Sequence, residues 1–256
     1  MKLFRYSQSI LLAILGFFGF VILWWLLTYF LVKELPQPPQ VFSNLFELLK
    51  KPFYDAGPND KGIGWQIYYS LKRVLTGFFI GALIAIPLGF LIGMSSKLSA
   101  MFNPIIQILR PVSPLAWFPL GLAVFQASDK AAVFSIAITS LWATLLNTAY
   151  GASSVPEDYK NVAKVFGFST LRYLRYVVVP YTLPFMLTGL KISIGIAWMV
   201  IVAAEMLAGG TGIGFYIWDS WNALNLNNVI SAILLIGVVG FILDYFFGYL
   251  QRRVQI

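Results

Sequence analysis

The chain has no cysteine and no histidine among its 256 residues. Without cysteine there are no disulfides, no thiolate nucleophile and no sulfur ligands for a metal. Without histidine, the imidazole metal ligand and the usual general base near neutral pH are missing as well. Charge is also scarce. Asp, Glu, Lys and Arg make up 11% of the residues, whereas a soluble domain carries about a quarter. Ten acidic and eighteen basic residues are too few to solvate a globular surface, so lipid must cover much of it. These absences argue against an enzyme and leave no candidates for a catalytic or metal site.

Apolar residues are abundant, at 59% of the chain with a mean hydropathy of +0.79. A helix crossing ~30 Å of hydrocarbon needs about 20 apolar residues at ~1.5 Å each. Six runs qualify: Ile10–Val32, Leu71–Met94, Leu98–Phe125, Ala131–Tyr150, Tyr176–Leu207 and Asn228–Leu250. The sequence therefore predicts an all-α integral membrane protein with six transmembrane helices. Lys2 and Arg5 precede the first run as in a signal peptide. That run is longer than a signal core and no small-x-small cleavage site follows it, so it is expected to remain as an anchor.

Residues 1–64 read as this first helix plus an extracytoplasmic loop. Within the loop, Val41–Leu49 has apolar residues at helical spacing, which predicts a short interfacial helix. Pro52, Gly57, Pro58, Gly62 and Gly64 mark irregular chain. Residues 65–256 read as a five-helix core.

The net charge of +8 comes from basic residues that flank the apolar runs rather than cluster on one soluble face. They fix orientation and do not indicate nucleic acid. With the N-terminus cytoplasmic, nine basic residues lie inside and seven outside. Four of the seven fall in the long first loop, where they weigh less. Both termini are thus expected on the cytoplasmic side.

The second run carries Gly77, Gly81, Ala85, Gly89 and Gly93 at four-residue steps, a ridge that lets another helix approach closely. The third places Arg110 among Pro104, Pro111, Pro114 and Pro119. Proline removes backbone donors, so this helix should be broken and should face protein or a water-filled cavity. Charges inside spans are functional candidates, which singles out Arg110, Lys191 and Glu205. Two fates are open to Arg110. It either offers a planar fork to a planar oxyanion, or it snorkels to the interface and satisfies carbonyls freed by the prolines. Lys191 either lines the same cavity or pairs with Glu205 or Asp244, and structural ion pairing is expected for Glu205. Trp117, with Phe118, forms either an apolar constriction or ordinary packing. Gly209–Gly214, GGTGIG, predicts a tight extracytoplasmic turn.

The polar segment between the fourth and fifth runs reads VPEDYKNVAKVFGFSTLRYLRYVVVPYTLP. Pro156, Glu157 and Asp158 suit a helix start, and Gly167 suits its end. The segment resembles the EAA motif of ABC importer permeases: Glu-Ala-Ala, three residues, Gly, and later Ile-x-Leu-Pro. The pattern falls on Asn161, Val162, Ala163 and Gly167, then on Val177, Val179 and Pro180, with Asn and Val replacing the first Glu and Ala. RPVSPLAWFPLGLAVF from Arg110 and IVAAEMLAGGTGIGFYIWDSWN from Ile201 resemble the nitrate/sulfonate/bicarbonate branch. The segment from Ile201 is most similar to the cyanobacterial nitrate and bicarbonate permeases.

This resemblance implies a type I importer permease (MetI-like) architecture with a cytoplasmic coupling helix at about 156–171. It further implies a bacterial inner-membrane location, a second permease copy, two ATP-binding subunits and an extracytoplasmic solute-binding protein. ATP and Mg would sit on the partner subunits, and this chain, which lacks a GxxxxGK[ST] loop, would bind no cofactor itself. The cargo would be a small oxyanion, nitrate (with nitrite) first and bicarbonate second. An ion-gradient-driven carrier or channel is the alternative, although no repeated half is visible.

Overall fold

The computed structural model describes residues 2–57 and 60–254, with the backbone alone for residues 2–7, 9 and 10. Pro58, read above as loop, lies outside the described residues, as do the side chains of Lys2 and Arg5.

Helix α1 (Lys2–Phe30) stands apart, its Leu, Phe and Trp side chains almost all exposed. Helix α2 (Pro38–Lys50) starts three residues before the expected Val41, because Pro38 and Pro39 fill first-turn positions that need no backbone donor. Its Asn44 amide donates to Asn228 Oδ1 at 2.9 Å and Ser231 Oγ at 3.0 Å, while Phe46 and Leu49 remain exposed. Strands β1 (Asp55–Gly57) and β2 (Asp60–Lys61) form a small hairpin that the sequence did not announce. There the Lys61 ammonium, 2.5 Å from Asp55, holds that carboxyl below the usual carboxylate range.

Helix α3 (Ile63–Met94) begins eight residues before the expected Leu71. Gly64 is helical rather than loop, and it is a glycine because a Cβ there would strike the Pro52 carbonyl and the Phe53 ring. The third run is two helices, α4 (Ser96–Leu109) and α5 (Pro114–Phe125), bent by 97° at Arg110–Ser113. Pro114 disfavours helix at Ser113, which is extended (φ −56, ψ 134), whereas Arg110 keeps helical dihedrals before Pro111, so the break falls just after Arg110. Next come α6 (Ser128–Ser153), α7 (Glu157–Val165) and the single turn α8 (Thr170–Tyr173). A π-helical turn, Leu174–Val178, joins α8 to α9 (Val179–Ala208), so one helical rod runs from Thr170 to Ala208. Helix α10 (Ile213–Asn222) starts within the expected Gly209–Gly214 turn and fills a stretch to which the sequence assigns no element, and α11 (Leu226–Val254) ends the described chain. Among the described residues five helices are long and apolar enough to cross a membrane, six spans if the bent α4–α5 pair counts as one.

Helix α6 is the hub, packed between α3, α5 and α9. It is the least hydrophobic and most buried of the five long spans. Protein rather than lipid surrounds it, so Ser135, Thr139, Ser140, Thr144 and Thr148 can all be interior. Ser135 and Thr139 donate back to carbonyls four residues earlier, while Thr144 donates to Ser193 of α9 at 2.8 Å. Ser193 in turn donates to the Ser140 carbonyl. On the other side of α6, Gly77, Gly81, Gly89 and Gly93 of α3 are in direct backbone-level contact, and Ala85 among them is fully buried.

A side chain on this ridge has no room. A Cβ at Gly81 would lie 2.8 Å from the Ala137 carbonyl oxygen, whereas one at Gly16 meets nothing within 4 Å. Gly81→Val should therefore cost about 1–3 kcal/mol and lower the unfolding midpoint in detergent, while Gly16→Val should leave it unchanged.

Candidate functional site

At one end of the bundle the chain leaves α6, forms α7 and returns through α8. Glu157 and Asp158 lie in the first turn of α7 and Lys164 in the last, charges that suit both ends of the helix dipole. Gly167 adopts φ +62, the left-handed region where a side chain costs about 1–2 kcal/mol. This allows Phe168 N–H to reach the Ala163 carbonyl at 2.9 Å and Gly167 N–H the Lys164 carbonyl at 3.0 Å. That pair of bonds is a Schellman closure. Ala163 faces the bundle and is buried, while Asn161 and Val162 face outward. Tyr159, Val162, Val165 and Phe166 together leave an apolar surface uncovered, Val165 being 84% exposed.

The junction to α9 is shaped by Pro180. Its ring has no N–H to give the Tyr176 carbonyl, so an ordinary α turn cannot close there. Instead Val179 N–H reaches back five residues to the Leu174 carbonyl, giving the wide turn.

At the opposite end, Glu205 is 1% exposed and every polar partner it needs is present. Its carboxylate accepts from Ser70 Oγ at 2.8 Å, Arg73 Nη1 at 2.7 Å and Gly214 N–H at 3.0 Å. Arg73 also donates to the Thr211 carbonyl at 2.7 Å and pairs with Asp129 at 2.7 Å, the latter 76% exposed. Gln66 Oε1 accepts from Gly212 N–H at 2.6 Å, and Ser70 Oγ accepts from Ile213 N–H at 2.9 Å. The glycine loop is thus pinned to α3, and α6 is tied to both. A Cβ at Gly212 or Gly214 would collide with Glu205, so close approach dictates those glycines.

Arg73 falls at the start of the Leu71–Met94 run and counts in the sequence only as one of the seven outside charges; it lies inside α3 and is the partner of Glu205. The available signal was the spacing of Gln66, Ser70 and Arg73, which puts three polar groups on one helix face. Lys191 pairs with Asp244 at 3.3 Å and makes no pair with Glu205. Trp117 stacks edge-on to Phe134 at 6.5 Å, its indole N–H without a partner. Arg110 sits at the α4–α5 bend on a cavity of about 610 Å³ with Asn103, Gln107 and Leu146. The four candidates Arg110, Trp117, Lys191 and Glu205 do not converge on one site.

Residues 85–256 match the family of binding-protein-dependent transport system inner membrane components. Among curated proteins, a bicarbonate transport system permease protein, CmpB, of Synechococcus elongatus is 45% identical over 96% of this chain and 90% of its own length. A nitrate import permease protein, NrtB, of Synechocystis is 41% identical over 98% and 91%. The NrtB of Leptolyngbya laminosa is 46% identical over 85% and 78%. Among solved structures, a chain of the MetNI methionine ABC transporter superposes with TM-score 0.66 at 15% identity, covering 73% of this chain and 93% of that one. A chain of a bacterial ABC transporter involved in alginate import gives 0.60 at 14%, with both chains fully covered.

The six-span bundle, with its closed α7 loop and these likenesses, defines a membrane-spanning permease of the type I ABC importer fold. The chain belongs to the binding-protein-dependent transport system inner membrane component family. Such a subunit is not itself catalytic; ATP is hydrolysed on separate subunits, and a substrate-binding protein completes the system.

Glu205→Ala would remove the acceptor on which Arg73, Ser70 and Gly214 converge. Breaking such a buried pair should cost about 3–5 kcal/mol, measurable as a lowered unfolding midpoint in detergent. Replacing the exposed Glu157 with Ala should cost well under ~1 kcal/mol.

Proposed function

We propose that two copies of this chain face each other across a path for a small planar oxyanion, nitrate (with nitrite) first and bicarbonate second. Residues 65–256 form the permease core, and residues 1–64 supply the anchor helix and outer loop with α2 lying at the interface. Both termini lie on the cytoplasmic side of a bacterial inner membrane. A solute-binding protein delivers cargo at the glycine-loop end, while two ATP-binding subunits, carrying ATP and Mg, grip the α7 end.

The observation that carries this reading is the α7 loop. A short helix locked by Gly167 presents Tyr159, Val162, Val165 and Phe166 to solvent between two spans. An apolar surface so placed is costly unless a partner covers it. Asn161, Val162, Ala163, Gly167 and Pro180 hold the positions of the EAA pattern, so the partner on this reading is the ATPase. The cargo assignment is supported by relatives named for bicarbonate and nitrate at 41–46% identity. Arg110 serves the path as its positive group; Trp117 narrows it, and Lys191 and Glu205 brace the spans around it.

Labelled nitrate and bicarbonate uptake, in a host lacking both systems and supplied with the partner subunits, tests the assignment. Gly167→Arg should abolish uptake or assembly with the ATP-binding subunits while membrane insertion persists; normal uptake would remove α7 from coupling. Arg110→Ala should lower uptake about tenfold with assembly intact, and unchanged kinetics would remove Arg110 from the path.

A further inference from the structure

Helix α4 carries Ser96, Ser99, Asn103 and Gln107, and Arg110 caps its end, at three- and four-residue steps, so they share one face. Phe102 and Ile106 pack toward α3 and α6 on the neighbouring face. Met101, Ile105 and Ile108 occupy the far side, exposed and apolar, with Lys97 on the same stripe in the first turn. For a helix at membrane depth this pattern separates a lipid-compatible face from a wet one. No hydrogen bond or ion pair among the described residues engages the Gln107 or Arg110 side chains. Both groups are exposed, and at that depth they need water or a ligand.

Three adjoining cavities follow this face. The one at Arg110, about 610 Å³, shares Asn103, Ile106 and Leu146 with a second of about 430 Å³. The second adds Ser96 and Ser99 and shares Gly93 and Ser153 with a third of about 360 Å³. That third cavity is bounded by Lys160 and Lys164 of α7 and Thr170 of α8. No carboxylate lines any of the three among the described residues. The row is cationic at both ends and neutral but rich in hydrogen-bonding groups between. Its length along α4 is about 21 Å for fourteen residues at ~1.5 Å each.

We infer that the polar face of α4 is the cytoplasmic half of the translocation route, running from Arg110 past Gln107 and Asn103 to a mouth walled by Lys160 and Lys164. This rests on the reading of the α7 end as cytoplasmic. A small anion passes from one cationic site to the other over amides and hydroxyls, which donate hydrogen bonds without trapping it. Conduction requires such weak, repeated sites. The absence of carboxylates leaves nothing to attract a cation. Because α7 supplies the mouth, the element gripped by the ATPase is also a wall of the exit, and its displacement changes the exit's width directly.

The absence of native cysteine makes the test clean. In the assembled transporter, in inside-out vesicles, cysteine is placed singly at Ser96, Asn103 and Gln107, and at Met101, Ile105 and Ile108 as the opposite face. A water-soluble anionic methanethiosulfonate should label this chain about tenfold faster at the first three positions than at the last three. Nitrate or bicarbonate should slow labelling at position 107. Equal rates on the two faces would overturn the route. Gln107→Glu should cut uptake about tenfold while ATPase co-purification persists. Undiminished uptake by Gln107→Glu would overturn it as well. Should the parent carry neither anion, the cargo assignment fails, and the labelling pattern still decides the route.

Discussion

Two apolar helices in hydrocarbon gain nothing by hiding from lipid, so their association must come from close packing and a few polar bonds. In this bundle the close approach of α3 to α6 is that contact. Four glycines and Ala85 bring one face of α3 against the α6 backbone at Val133, Ala137, Leu145 and Ala149. With one flank sealed this way, α6 bonds to α9 on another, where Thr144, Ser193 and the Ser140 carbonyl form a relay. Helix α5 closes the third flank, and Gly121 abuts Ala131 and Phe134. The positions of the α7 loop, the α4–α5 bend and the glycine loop all follow from how α3, α6 and α9 are locked together.

The other constraint is electrostatic. A carboxylate taken out of water costs several kcal/mol unless it is surrounded by donors. Glu205 meets that requirement with an arginine, a serine and a backbone amide. The composition of the loop follows. Gly212 is glycine because the Glu205 carboxylate occupies the space a side chain would fill, and Gly214 because the Val202 carbonyl and the Glu205 Cβ do. The apparent turn motif is the imprint of a residue several positions earlier in the chain.

The spans were legible because lipid contact leaves long apolar runs, and the break near Arg110 because proline cannot continue a ladder. The extent of α3 was not legible. Its first turns carry Gln66, Ser70 and Arg73 inward, and polar residues at the end of an apolar run resemble loop whether they meet water or protein. Helix α10 was hidden behind the glycines that precede it. At the α7 loop the helix start, its end at Gly167 and its charge pattern could be read from residue types alone. The pairing of Arg73 with Glu205 could not, since it joins residues 132 apart.

The wide turn at Leu174–Val178 has a geometric consequence for chain length. A π turn takes in one more residue than an α turn while leaving the helix on either side in phase. This rod therefore holds one residue of slack just where the loop of α7 and α8 meets α9. Shortening the chain by one within the wide turn would leave both flanks pointing as they do. The same deletion elsewhere in α9 would swing everything beyond it by about 100°. Segment length and the direction in which the loop points are decoupled at that single turn.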